Sequence, residues 1–199
     1  GSSLPTNVFF LLSSQHLTAL PASVRRSIEA DPLRQRAMPR FTEQQVQEFA
    51  VKRGVPLDDA ELPLVMEKSE GNPLYLHYMC ELLRARDTRE RYDLLERLPL
   101  LIAGNISSFH EMLYDDLSDD DIAIAILAIL AHRREYTTKD TLLELLSGIG
   151  FVTNIVAIDL KLKVVRHILK TREGRSWAIF HNSFREFVRG RWQELHASS

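Results

Sequence analysis

Few residues of this chain have the types and spacing that chemistry needs. His110-Glu111-Met112-Leu113-Tyr114 starts like a zinc-binding H-E-x-x-H helix, but Tyr114 stands where the second histidine belongs. One histidine cannot replace the three protein ligands of a catalytic zinc, so no metal site is expected. Asp115, Asp116 and Asp119 to Asp121 could attract a divalent cation, yet their spacing fits no EF-hand loop. The single cysteine, Cys80, lies in an apolar helical stretch where a thiol is packing, and no G-x-S-x-G elbow occurs. No glycine is followed by lysine anywhere, so the phosphate-cradling G-x-x-x-x-G-K-[ST] loop is missing. Without it the chain alone should not hydrolyse a nucleoside triphosphate. Three short segments remain with recognisable chemistry: Ser13-Ser14-Gln15, Gly71-Asn72-Pro73-Leu74 and Phe180-His181-Asn182.

Each segment has an element to position it. Val8 to Leu12 is a continuous apolar run rich in β-formers, which reads as a strand buried on both faces of a parallel sheet and ends at Ser13-Ser14-Gln15. Thr42 with Gln45 forms a capping box for a helix that carries Val46, Phe49 and Ala50 inward and stops at Gly54. A second helix spans about Asp59 to Lys68. Asn72 caps the next one, and Pro73 occupies its first position, where a missing N–H costs nothing. That helix runs through Leu74, Leu76, Tyr78, Met79, Leu82 and Leu83. Another starts at Ser107 with Phe109, Met112 and Leu113.

Ser118 is expected to cap a helix with Asp119, Asp120 and Asp121 in its first turn and an apolar body on every side, hence a central helix. Thr137 with Asp140 opens a helix ending at Gly148, and Val152, Ile155, Ile158, Leu162 and Val165 mark one face of another. Strands at Arg166 to Lys170 and Trp177 to Phe180 flank a turn-rich hairpin connection, and a last helix from Asn182 to Trp192 buries Phe184, Phe187 and Val188. Three helices, a hairpin and a closing helix are the order of a winged-helix domain. The expected fold is therefore mainly α: residues 4–40 a remnant strand and connection of an α/β core, 41–117 a helical lid bundle, 118–193 a winged helix.

The chain has 199 residues, 45% apolar and 26% charged, enough to bury a substantial core. Its formal charge of -2 gives no global case for a nucleic-acid or membrane partner. The longest apolar run, Ile122 to Ala131, is half the ~20 residues of a spanning helix, so no membrane span is expected. A lone cysteine and the absence of a signal-like start point to the cytoplasm. Charge is nevertheless segregated: ten acids face three bases between Asp87 and Asp121, and nine bases face two acids between Lys161 and Trp192. Such asymmetry reads as a basic face for an anionic partner or as two complementary parts of one molecule.

With these elements in place, the three segments resemble the STAND class of AAA-related NTPases, regulatory ATPases that include the NACHT and NB-ARC groups. Val8 to Gln15 is similar to their last core strand and sensor segment, Gly71-Asn72-Pro73-Leu74 to their G-x-P motif, and Phe180-His181-Asn182 to the Met-His-Asp of the NB-ARC group. The resemblance covers nearly the whole chain. It implies a regulatory lid and winged-helix region of a signalling ATPase, attached to an upstream nucleotide-binding core of the same polypeptide that would hold ADP or ATP with Mg²⁺; tight nucleotide binding by this chain alone is not implied. Pro73 would lie near adenine, His181 on the ADP β-phosphate, and Ser14 and Gln15 at the sensor position, with Gly71, Asn72 and Asn182 shaping the motifs. Asn182 keeps a helix cap but lacks the charge of the usual aspartate. The sensor arginine is absent too, and Gln15 can hydrogen-bond a phosphate without neutralising it. The resemblance further implies a homo-oligomer when activated.

A different class, DNA binding, rests on the residues themselves. Lys161, Lys163, Arg166, Lys170, Arg172 and Arg175 fall in the third helix and wing of a winged helix, where they could meet phosphates. That third helix offers few groups for base edges beyond Asn154. A protein-interaction scaffold is compatible with either reading.

Overall fold

Thr42 begins the first helix of the larger unit as its sequence requires: its hydroxyl accepts from the Gln45 N–H while the Gln45 side chain accepts from the Thr42 N–H. The structure is a computed structural model that describes residues 20–31, 39–84, 86–102, 104–133 and 135–197, with side chains through 194. The expected strand Val8 to Leu12, and with it Ser13, Ser14 and Gln15, lies outside the described residues. The chain divides into two compact units, Gly1–Pro39 and Arg40–Ser199. In the first, α1 (Ala22–Glu29) buries no residue and carries an Arg25–Glu29 ion pair of 3.8 Å one turn apart.

The second unit is mainly helical with a small three-stranded antiparallel sheet. Its elements are α2 (Glu43–Lys52), α3 (Glu61–Ser69), α4 (Pro73–Leu83), α5 (Thr88–Arg97), α6 (Ser107–Asp115), α7 (Asp121–His132), β1 (Thr137–Thr138), α8 (Lys139–Gly148), α9 (Ile155–Val164), a 3-10 turn (Arg166–Ile168), β2 (Leu169–Arg172), β3 (Ser176–Ile179) and α10 (Asn182–Ala197). Strand order is β1-β3-β2, with Thr137 opposite Trp177 and Leu169 opposite Ile179. The hairpin turn between β2 and β3 places Glu173 and Gly174 at positive φ.

The α3–α4 corner is the most constrained local feature. Asn72 Oδ1 accepts from the N–H groups of Leu74 and Tyr75 at 3.0 and 3.1 Å, and Pro73 fills the first helical position. Gly71 sits at φ 70°, and a Cβ there would lie 2.3 Å from the Phe41 carbonyl oxygen. The approach is that close because the Phe41 N–H donates to the Gly71 carbonyl at 2.8 Å. Glycine is therefore demanded twice, by conformation and by space. This contact ties the segment entering α2 to the start of α4.

A buried ion pair braces the same bundle. Glu61, 2% exposed, accepts from the Asp58 N–H and faces Arg91 of α5 at 3.5 Å. Arg91 also donates to the carbonyls of Leu83 and Pro56, so its guanidinium joins α5 to α4 and to the loop before α3. Helix α5 was not anticipated from sequence, although Asp87 and Glu90 form a complete capping box. In the C-terminal half, α7 is buried along most of its length, including Ala123, Ala125, Ile126, Leu127 and Leu130, and α8, α9, β3 and α10 pack around it. The expected central helix is there.

Several boundaries differ from expectation, each for a local reason. Asp120, not Ser118, caps α7 by accepting from the Ala123 N–H. Thr137 is buried in β1, and Thr138 caps α8 instead. The strand expected from Arg166 begins only at Leu169, because Arg166 to Ile168 form a 3-10 turn. Val152 precedes α9 and is 99% exposed rather than on the buried face. Asn182 is the first helical residue of α10 and does not cap it.

Replacing Gly71 by alanine should cost roughly 2–4 kcal/mol, since backbone must move, whereas Gly174→Ala, at positive φ in open space, should cost about 1 kcal/mol. Urea unfolding of the two variants measures the difference; equal costs would show that the Phe41 approach imposes nothing.

Candidate functional site

The start of α4 leads directly to the densest group of ring systems in the unit. One turn beyond Pro73, His77 stacks on Phe180, with ring centroids 3.9 Å apart and planes at 25°. Tyr78 packs edge-on to Phe180 and to His110 of α6, and tilted against Phe109. His110 in turn meets Phe184 at 5.2 Å and Phe187 at 5.7 Å on α10. These rings join α4 and α6 to the β3–α10 junction, where His181 stands.

His181 replaces Asn182 as the cap of α10. Its Nδ1 accepts from the Ser183 N–H at 3.2 Å and lies 2.9 Å from the Ser183 hydroxyl. An acceptor at Nδ1 puts the proton of the neutral ring on Nε2, which makes that nitrogen a donor. Asn182 is exposed, Pro73 is half-buried, and Gly71 is buried at the corner described above. Pro73 and His181 thus belong to segments joined by the His77–Phe180 stack.

Burial governs the titration of this group. The His77 imidazole is pushed down to about 4 first by burial, then by the positive charges of Arg53 and Arg84 and by His181. His110 is likewise lowered to about 4 by burial, with His181 adding to it, and burial also lowers His181. His77 Nδ1, His110 Nε2 and the hydroxyls of Tyr78 and Tyr114 are buried without a hydrogen-bond partner. Near neutral pH the three histidines are therefore uncharged. His110 is a packing residue, and among the described residues no cluster of three or more His, Cys, Asp or Glu could hold a metal. Cys80 is buried and its thiol is pushed up to about 11, the inert state expected of it.

The six basic candidates for nucleic acid do not form one surface of free charges. Lys161 pairs with Asp120 at 2.6 Å, and Lys163 with Asp159 at 2.8 Å. Lys139 and Lys163 together hold the Asp159 carboxyl down to about 2. Lys170 and Arg172 on β2 lie over the Tyr136 ring at 5.5 and 5.7 Å, Arg175 is in the exposed hairpin turn, and Arg166 faces a cleft on α4 and α6. Asn154, the one residue suited to base edges, uses its Oδ1 to cap α9 through the Ala157 N–H. The outward side of α9 is apolar instead: Val156, Leu160 and Val164, each four residues from the next, are 70%, 56% and 52% exposed, and Val152, just before the helix, is 99% exposed. Sequence reading missed this ladder because Ile158, Leu162 and Val165 satisfy the inward pattern on their own. It also missed His77, whose only sequence signal is its place one turn after Pro73.

Searches against family models, curated proteins and solved structures found no match to this chain.

The two deeply buried histidines set an expected pH response. A folded-state value below the ordinary 6.5 means that the unfolded chain takes up protons first, so stability is complete above pH 6.5 and falls as pH drops towards 4. The loss should reach on the order of 2–3 kcal/mol per histidine, and a His77→Phe, His110→Phe double variant should flatten the profile. Urea titrations at pH 7.0, 5.5 and 4.5 read this directly; an unchanged slope in the double variant would refute it.

Proposed function

We propose that residues 41–117 and 118–193 are the helical lid and winged-helix domains of a STAND-type ATPase, and that they report whether ADP or ATP occupies a nucleotide-binding core of the same polypeptide. The order α7, β1, α8, α9, β2, β3, α10 supports the winged-helix reading, with β2 and β3 as the wing. The observation that carries the functional reading is the joint itself. The Gly71-Asn72-Pro73 corner and the His181 cap belong to segments that the His77–Phe180 stack holds together.

The residues fit the implied nucleotide. Pro73 offers a rigid ring without an N–H, suited to a purine face, and His181 offers an Nε2–H donor, suited to a diphosphate. Asn72 has its oxygen occupied by backbone donors and acts only as a cap. When bound, ADP would supply the negative charge that this donor meets, and Mg²⁺ would accompany ATP at the upstream core. His181 would hold lid and wing closed in the ADP state. Exchange switches the module only if the two nucleotides bind the closed and open states with different affinity.

The apolar ladder on α9 favours a protein contact over a DNA groove as the readout of opening. Base recognition needs donors and acceptors on the helix that enters the groove, and this helix presents valine and leucine.

Two outcomes test these readings in the polypeptide that includes its core. His181→Ala should speed ADP release at least tenfold and raise basal self-association, measured with fluorescent ADP and by light scattering; unchanged release defeats the nucleotide role. Val156→Asp with Leu160→Asp should suppress ATP-dependent assembly while ADP release stays as in the parent. Lys170→Ala with Arg172→Ala should leave assembly intact. The reverse pattern, with DNA affinity lost in the lysine–arginine variant, would favour the wing as a DNA contact.

A further inference from the structure

A polar recess lies at the other end of α4 from Pro73, about 15 Å along the helix by its 11-residue length. It is a cleft of about 550 Å³ between the C-terminal ends of α4 and α6 and the α9–β2 junction. We propose that this cleft binds an organic phosphate ester, its phosphate held by Arg86, Arg166 and His167. The inference is independent of the nucleotide reading above.

Charge is the first argument. Arg86, Lys163 and Arg166 line the cleft against two carboxylates, Glu81 and Asp116. Glu81 is already taken by Arg84 at 2.9 Å and Arg53 at 3.6 Å, and Lys163 by Asp159. Arg86, in the turn after α4, donates from its guanidinium to the Leu82 carbonyl at the end of that helix, and among the described residues neither Arg86 nor Arg166 has an ion pair. Asp116 is the one lining carboxylate with no ion pair among the described residues, so two guanidinium groups and the His167 ring face a single counter-charge and the recess keeps a net positive charge. Guanidinium forks match the oxygens of a phosphate better than they match a halide.

An unsatisfied buried atom is the second argument. His167 lines the same cleft, and its Nε2 is buried without a hydrogen-bond partner. Burial is the main cause that pushes this imidazole down to about 4; a hydrogen bond to the Val164 backbone opposes it, while Arg86 and Arg166 add to it. An arriving dianion reverses the balance. It offsets the two arginine charges, His167 takes one proton from solvent, and Nε2–H donates to a phosphate oxygen. A nitrogen that is orphaned in the empty protein becomes satisfied in the complex.

Volume and lining give the class of ligand. The cleft is in the range of small-molecule sites and far larger than inorganic phosphate needs. Leu82, Leu113 and Leu117 form an apolar wall for a carbon skeleton, and Asp116 can accept from hydroxyl groups while it repels a second anionic group. A hydroxylated monophosphate meets all of these demands.

Calorimetry on the full chain with ribose 5-phosphate and with inorganic phosphate, at pH 6.0 and 7.5, tests the site, with the His167 ring nitrogens followed by NMR. Saturable binding of ribose 5-phosphate is expected, at least tenfold tighter than inorganic phosphate, tighter at pH 6.0, and accompanied by a shift of His167 Nε2. Arg166→Glu should weaken it more than tenfold, and the milder Arg166→Gln should do so less. His181→Ala should leave it unchanged, which separates this site from the proposed nucleotide contact. Absence of saturation, equal binding by the Arg166 variants, or loss in His181→Ala overturns the proposal.

Discussion

Nitrogen-bearing rings sealed among carbon define the joint between the two halves of the larger unit. His77 lies flat on Phe180, and His110 sits edge-on to Phe184 and tilted against Phe187, so α4 and α6 meet the β3–α10 junction and α10 through surfaces that are apolar only while the imidazoles are neutral. An all-hydrocarbon joint would be stronger, because His77 Nδ1 and His110 Nε2 lose hydration and gain no partner. The packing around them, with Tyr75, Tyr78 and Phe109 fully buried beside the joint, supplies the offsetting free energy. The result is an interface that is well packed and sensitive to protonation of either imidazole.

The corner at Gly71 controls how α4 reaches that joint. Its positive φ and its close approach to Phe41 set where the chain turns, and Asn72 and Pro73 then set where the helix begins. Helical geometry carries this start one turn onward to His77. A glycine, a cap and a ring stack thus form one mechanical series. The Glu61–Arg91 pair, tied to the carbonyls of Pro56 and Leu83, holds the opposite end of α4 against α5.

The segregated charges meet less than their sequence positions suggest. Among the described residues, Lys161 with Asp120 is the single ion pair that crosses from the basic segment 161–192 to the acidic segment 87–121. Several other basic side chains pair locally, as Lys163 does with Asp159 and Arg189 with Glu186, or lie over an aromatic ring, as Lys170 and Arg172 do. Arg166, Arg175 and Arg185 have neither kind of partner among the described residues, and of the three it is Arg166 that lines the recess at the end of α4.

Helix starts were legible in the sequence wherever a side chain satisfies a backbone donor two or three residues away. Thr42 with Gln45 and Asn72 with Pro73 were read correctly because that interaction is complete within one turn. The same signal at Asp87 and Glu90 was present and overlooked, and at Ser118 and Asn182 a neighbour, Asp120 or His181, took the capping role. The central place of α7 also followed from sequence, since a helix apolar on every side must be surrounded. The two faces of α9 could not be told apart in this way, because Ile158 and Leu162 repeat with the same period as Val156 and Leu160. Sequence by itself determined the local geometry and the composition of each face. Tertiary structure alone decided which faces are covered, which histidines lose water and which arginines lack a partner, because burial and pairing depend on residues far away along the chain.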